Sequence, residues 1–216
     1  MRRFGFFLAG LLANASASAQ DVVTPAESGA RRMLEAERAM NEMAHKSGTL
    51  AAYRHFVADD GVLFGEDGTV PAVAQLKAQT NSPEPPTWGP FAIVASCDGS
   101  VEISQGSFTA ADGVRGVYNT VWRRQADGGY RWEFDFAFRL DSIGVPVDPP
   151  PIRAAHCGKT TEIQTDADPA TIRRSTDGTL AWSIERAADK TGVYRIWLLE
   201  NGEMQEILRA TIRPFG

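Results

Sequence analysis

The residues of this sequence that stand out as able to move protons are carboxylates and phenols. Glu133 and Asp135 lie in an aromatic run, Asp59 and Asp60 precede a glycine, and Tyr53 and Tyr118 supply hydroxyls. A carboxylate held in an apolar cavity has its pKa raised by desolvation, and a neighbouring hydroxyl can donate to a developing oxyanion. These residue types therefore suit isomerisation, elimination or cyclisation through enol-like intermediates. Other chemistries lack their signatures: there is no Gly-x-Ser-x-Gly elbow, no phosphate-binding glycine loop and no His-Glu-x-x-His. His45, His55 and His156 are far apart in sequence, so neither a metal nor another cofactor is expected.

Which way Asp135 points decides its use. Strict alternation from Tyr130 to Leu140 puts Trp132, Phe134, Phe136 and Phe138 on one face and Arg131, Glu133, Asp135 and Arg139 on the other. The aromatic face reads as core beneath helices or as the wall of a ligand pocket. Asp135 then falls on the wrong face for a pocket, with Arg115, Arg123 or Arg131 as partners, unless a bulge re-aims it. Asp59 and Asp60, beside Gly61, suit a turn.

The elements that must position these residues are legible from N- to C-terminus. Thr24-Pro25-Ala26-Glu27 is a capping box with proline at the first helical position. Met33, Leu34, Met40, Met43 and Ala44 follow at helical spacing, Arg31, Glu35, Arg38 and Glu42 take the other faces, and Gly48 ends the helix. A short helix over 50–57 aligns Leu50, Tyr53 and Phe56, a strand covers 62–64, and Pro71 opens a third helix to about residue 79. Pro83, Pro85, Pro86 and Pro90 make an extended connector. Strands over 91–95, 101–108, 114–124 and 130–140 follow, with Asp98-Gly99, Asp112-Gly113 and Asp127-Gly128-Gly129 between them. Helices and then a meander predict an α+β fold with the helices on one face of an antiparallel sheet.

Pro146, Pro149, Pro150 and Pro151 read as a stiff linker. Five further strands, over 160–164, 171–175, 179–186, 193–199 and 204–212, occupy the rest, with hairpin turns at Asp177-Gly178 and Asn201-Gly202. About 65 residues without a helix are marginal as an independent unit, so this region should pack on the first. The organisation expected is a signal segment over 1–19, an α+β domain over 20–145, a linker over 146–158 and a β-rich extension over 159–216.

Residues 27–140 resemble the DUF4440, SnoaL-like branch of the NTF2-like superfamily. The resemblance rests on the order of elements, on Ala58-Asp59-Asp60-Gly61-Val62-Leu63-Phe64, Ser96-Cys97-Asp98-Gly99-Ser100 and Val121-Trp122-Arg123-Arg124-Gln125, and on the closing Gly-Gly-Tyr-Arg-Trp-Glu-Phe-Asp. It implies a cone in which a curved sheet wraps a long helix around an apolar pocket, with Tyr53, Trp122, Trp132, Phe134 and Phe136 as lining. Many such proteins carry His-Asp-His where this chain has Phe134-Asp135-Phe136, so the usual polar pocket groups are replaced. The implied functions are binding of a small apolar ligand or a scaffold role. The alternative is a lyase, isomerase or cyclase of the ketosteroid-isomerase kind using Asp135, Tyr53 or Tyr118. The resemblance also implies homodimers, and the C-terminal strands offer a surface for a protein partner.

Arg2 and Arg3, the apolar run from Phe4 to Ala13 and Ala17-Ser18-Ala19 form the three parts of a cleavable signal peptide. The apolar run is about half the roughly 20 residues a spanning helix needs, so export to the periplasm or medium is expected rather than anchoring. Without Arg2 and Arg3, 20 basic residues face 27 acidic ones, a formal charge of −7. That balance argues against nucleic acid and anionic membrane as partners. Cys97 and Cys157, an even count in an oxidising compartment, are read as a structural disulfide.

Overall fold

The computed structural model describes residues 23–80, 84–140 and 144–213; the signal segment lies outside them. Helix α1 (Pro25–Ser47) starts at the expected capping box, with the Thr24 side chain accepting from the Glu27 amide and Glu27 accepting from the Thr24 amide. Its buried stripe, Ala30, Met33, Leu34, Met40 and Ala44, follows the 3.6 period. Helices α2 (Thr49–Phe56) and α3 (Ala72–Lys77) complete the layer.

A seven-stranded sheet runs in the order β2-β1-β6-β5-β4-β3-β7. Its strands are β1 (Val57–Gly65), β2 (Gly68–Pro71), β3 (Thr87–Ala95), β4 (Val101–Thr109), β5 (Arg115–Arg124), β6 (Tyr130–Arg139) and β7 (Ile152–Ala154). The central β3-β4-β5-β6 meander is antiparallel, as the Asp-Gly turns require, but β1 joins β6 and β7 joins β3 in parallel. The sheet packs one face against the three helices, an α+β arrangement with a shared core of Ala30, Met33, Leu63, Trp122 and Trp132. Gly29 sets how closely α1 approaches it: a Cβ there would collide with the Glu102 carboxyl and lie 2.9 Å from the Cα of Gly99.

The remaining strands, β8 (Arg173–Arg174), β9 (Leu180–Arg186), β10 (Gly192–Glu200) and β11 (Glu203–Ile212), form a second sheet in the order β11-β10-β9-β8. It packs on the face of the large sheet turned away from the helices. Val121, Phe134, Phe136, Trp182, Tyr194, Ile196 and Leu198 bury themselves in one core between the two sheets. Phe134 stacks on Trp182 at 5.2 Å, and Phe136 meets Tyr194 edge-on at 4.9 Å. The Cys97–Cys157 disulfide, Cα to Cα 5.2 Å, ties the β3–β4 turn to the segment that follows β7.

Three local expectations are corrected. Asp59-Asp60-Gly61 is not a turn but lies inside β1, in an irregular stretch between the pairs Val57 with Trp132 and Val62 with Phe134. The proline-rich segment is not only a linker, because Ile152–Ala154 extends the sheet and the Ile93 amide donates to Pro151. Residues 160–164 join no strand; Thr161 instead accepts from the Met204 amide while Ile163 is buried. Among the described residues no helix is long and apolar enough to cross a membrane.

Candidate functional site

A bulge in β6 creates the site. Val121 pairs with Phe134 and Trp122 with Trp132, so Glu133 is an extra residue with no partner of its own on β5. An inserted residue reverses the facing of everything beyond it. Trp132 therefore faces the helices, its ring edge-on to Tyr53 at 5.6 Å. Phe134 and Phe136 face the C-terminal sheet instead. Asp135 and Ala137 come round to the helix side, where they line a cavity of about 500 Å³.

The walls of that cavity are aromatic: Tyr53 from α2, Trp88 from β3, Phe108 from β4, and Tyr118 and Trp122 from β5. Met40 of α1 adds a thioether, and Pro86, Ala111 and Asp112 stand where the cavity meets solvent. The polar end is built around Asp135. Tyr53 donates its hydroxyl to Oδ2 at 3.1 Å and Thr120 donates to Oδ1 at 2.6 Å. Burial pushes the Asp135 carboxyl up to about 6, against the pull of these two hydrogen bonds. No cation pairs with Asp135 among the described residues; its expected partner Arg123 is bound to Glu133, and Arg131 donates to the His55 carbonyl.

A second carboxyl lies behind the first wall. Glu37 of α1, 3% exposed, accepts the Tyr118 hydroxyl at 2.5 Å. Burial outweighs that hydrogen bond and raises the Glu37 carboxyl to about 7. Desolvation, then the neighbouring carboxylates, holds both phenols well above their ordinary value, Tyr53 beside Asp135 and Tyr118 beside Glu37. The Trp122 indole donates to Ser104 at 3.1 Å, which fixes that ring.

The sequence-based candidates thus divide. Tyr53, Tyr118, Trp122 and Asp135 meet in the cavity. Trp132 lies beside them but is packed behind Tyr53, its indole donating to the Tyr53 carbonyl. Phe134 and Phe136 are corrected to the opposite face, because alternation is broken at Glu133. Asp59 and Asp60 are exposed on β1 and do not line the cavity. Glu133 is fully buried outside the cavity, accepting from Arg123 and from the Trp182 indole. Among the described residues no cluster of three or more His, Cys, Asp or Glu is arranged to hold a metal ion.

Glu37, Thr120, Trp88, Phe108 and Ala137 were not singled out in the sequence. Glu37 had a signal: it falls on the Met33, Leu34, Met40, Ala44 stripe, where a carboxylate has no reason to be unless it meets a partner. Glu102 shows the same feature on β4. It is fully buried against α1, and burial followed by the charge of Asp98 raises its carboxyl to about 9.

No family model matches this chain, and no curated protein matches it. Among solved structures it is similar to a protein from Catenulispora acidiphila at 16% identity and TM-score 0.37, over 50% of this chain and 89% of that one. It is similar to a proposed aromatic ring hydroxylase from Novosphingobium aromaticivorans at 13% identity and TM-score 0.39, over 56% and 95%. An NTF2-like superfamily protein from Salmonella enterica serovar Typhimurium matches at 13% identity and TM-score 0.35, over 55% and 95%. Likenesses at this level say nothing about what this chain binds or does.

Proposed function

We propose that this chain binds a small, mainly apolar molecule inside its cone, with the polar end of that molecule at Asp135. The observation that carries this reading is the cavity itself: about 500 Å³, walled by five aromatic side chains, with one carboxylate held in place by Tyr53 and Thr120. Ligand sites combine such a concave apolar wall with a few convergent polar groups. An uncharged indole alcohol, tryptophol, is a suitable probe. It should raise the thermal midpoint of the wild type and leave that of Ala137→Phe, which fills the cavity from β6, unmoved. No shift in the wild type with tryptophol or with its amine and acid analogues, or an equal shift in both proteins, rejects the reading.

A second reading, proton transfer on an enolisable ketone, is favoured by the state of the two carboxyls. A base near 6 is well matched to neutral pH. Glu37, when protonated, can donate to Tyr118 and leave the phenolic hydrogen free for an oxyanion. Asp135 would take the α-proton and Tyr118 would stabilise the enolate. Exchange of the α-protons of 2-tetralone for deuterium, followed by NMR, tests this: the wild type should accelerate it and Asp135→Asn should remove the acceleration. Exchange that survives Asp135→Asn contradicts it.

Kinship with the DUF4440, SnoaL-like branch and export by residues 1–19 belong to this same proposal. Export would place Cys97 and Cys157 in a compartment where their disulfide persists.

A further inference from the structure

We infer that the ligand's polar end is a hydrogen-bond donor carrying positive charge, a protonated amine on an apolar aromatic body, and that carboxylates are refused. This rests on the cavity being a binding site, as proposed above, and adds the chemical class of the occupant.

Four polar side chains of the lining surround or face the inner end of the cavity with a hydrogen to give, and each has already given it within the chain. The Tyr53 hydroxyl donates to Asp135 Oδ2, the Thr120 hydroxyl to Asp135 Oδ1, the Tyr118 hydroxyl to Glu37 Oε1 and the Trp122 indole to Ser104 Oγ. What these groups still offer is lone pairs. An ionised carboxylate accepts only, and a phenol or hydroxyl that has donated keeps acceptor capacity. The remaining indole donor of the lining, Trp88, stands in the wall shared with a second, smaller cavity. With Asp135 and Glu37 ionised, a carbonyl or carboxylate entering here would meet oxygen against oxygen, whereas an N–H would find acceptors waiting.

Charge points the same way. Among the described residues the lining contains no lysine, arginine or histidine, while Asp135 sits at the inner end and the exposed Glu84 and Asp112 at the solvent end. A carboxylate buried without a cation bears its desolvation unrelieved, and an ammonium placed beside it relieves both partners. The aromatic walls add to this, since the faces of indole and phenol rings attract cations. Aromatic faces with an unpaired acid among them discriminate against anions through the same field.

Calorimetry at pH 8 with three ligands sharing one indole body tests the inference: tryptamine, tryptophol and indole-3-acetate. Tryptamine should bind at least about tenfold tighter than tryptophol, and indole-3-acetate at least about tenfold weaker than tryptophol or not at all. In Asp135→Asn the ratio of tryptamine to tryptophol affinity should fall to within about twofold of unity. Tryptophol binding as tightly as tryptamine, or indole-3-acetate binding as tightly as tryptophol, overturns the inference while leaving the cavity a binding site. Failure of all three to bind removes the binding reading as well. The wild-type comparison decides the matter even if the Asn variant does not fold.

Discussion

Glu133 and Asp135 are two residues apart on one strand and are treated in opposite ways. Glu133 faces the C-terminal sheet and is fully provided for: Arg123 grips it with two hydrogen bonds of 2.7 and 3.0 Å, the Trp182 indole adds a third at 2.8 Å, and Arg173 stands 3.9 Å away. Asp135 faces the helices and receives two neutral hydroxyls and, among the described residues, no cation. The same bulge that turns one acid outward turns the other inward. The two faces of the sheet differ accordingly: the outer face is a contact within the chain, filled and charge-balanced at Glu133, and the inner face borders a cavity in which Asp135 meets two hydroxyls.

Among substitutions on the two faces, the largest effects belong to the outer one. Trp182, 1% exposed, stacks on Phe134 and holds Glu133. Trp182→Ala should cost about 4–5 kcal/mol in urea unfolding, the upper end for a buried aromatic because a carboxylate also loses a donor. A cost below about 2 kcal/mol would mean that the second sheet is only loosely applied. Replacing both Cys97 and Cys157 by serine opens a loop of 60 residues and should cost about 4 kcal/mol by chain entropy. Unfolding under reducing conditions measures the same loss without mutation.

Substituting the two acids sharpens the contrast because the signs differ. Glu133→Gln should destabilise by about 2 kcal/mol, less than the 3–5 kcal/mol of a fully buried pair because the Arg123 side chain keeps 26% of its surface exposed and can rehydrate. Asp135→Asn should instead stabilise the fold by on the order of 1 kcal/mol at pH 8. The sign follows from linkage: an acid raised in the folded state from 3.8 to about 6 binds its proton more tightly folded than unfolded. Its contribution is complete below about pH 4 and is lost as pH rises through 6, with Glu37, raised from 4.5 to about 7, following the same course. Wild-type stability should therefore decline between pH 5 and 8, and less steeply in Asp135→Asn. Equal slopes for the two proteins would show that Asp135 is not desolvated.

Much of the architecture was legible because local signals agreed with the global fold. The Thr24 capping box, the Asp-Gly turns between β3 and β6 and the alternating strands each fix an element from its own residues. The β1 pairing was not, since a parallel contact between residues some 70 positions apart leaves no local mark and Asp-Asp-Gly reads as a turn when taken alone. The site was half legible. Residue type brought out Tyr53, Tyr118 and Asp135, and the family resemblance brought out Trp122, but the direction of Asp135 depends on one inserted residue, and Glu133 carries no sign in its type that it is a bulge. The four aromatics at 132, 134, 136 and 138 suggested one continuous wall. They are in fact parted, Trp132 to the helices and the three phenylalanines to the second sheet.

The most direct test of the account is the titration of Asp135 itself, followed by carbon-13 NMR of its side-chain carboxyl with and without tryptamine. The midpoint of the free protein should lie near 6, well above the ordinary 3.8, and the bound ammonium should pull it downward. A midpoint near 4 that tryptamine does not move would contradict it, because Asp135 would then be an ordinary solvated strand residue and the inner face would hold no waiting acid.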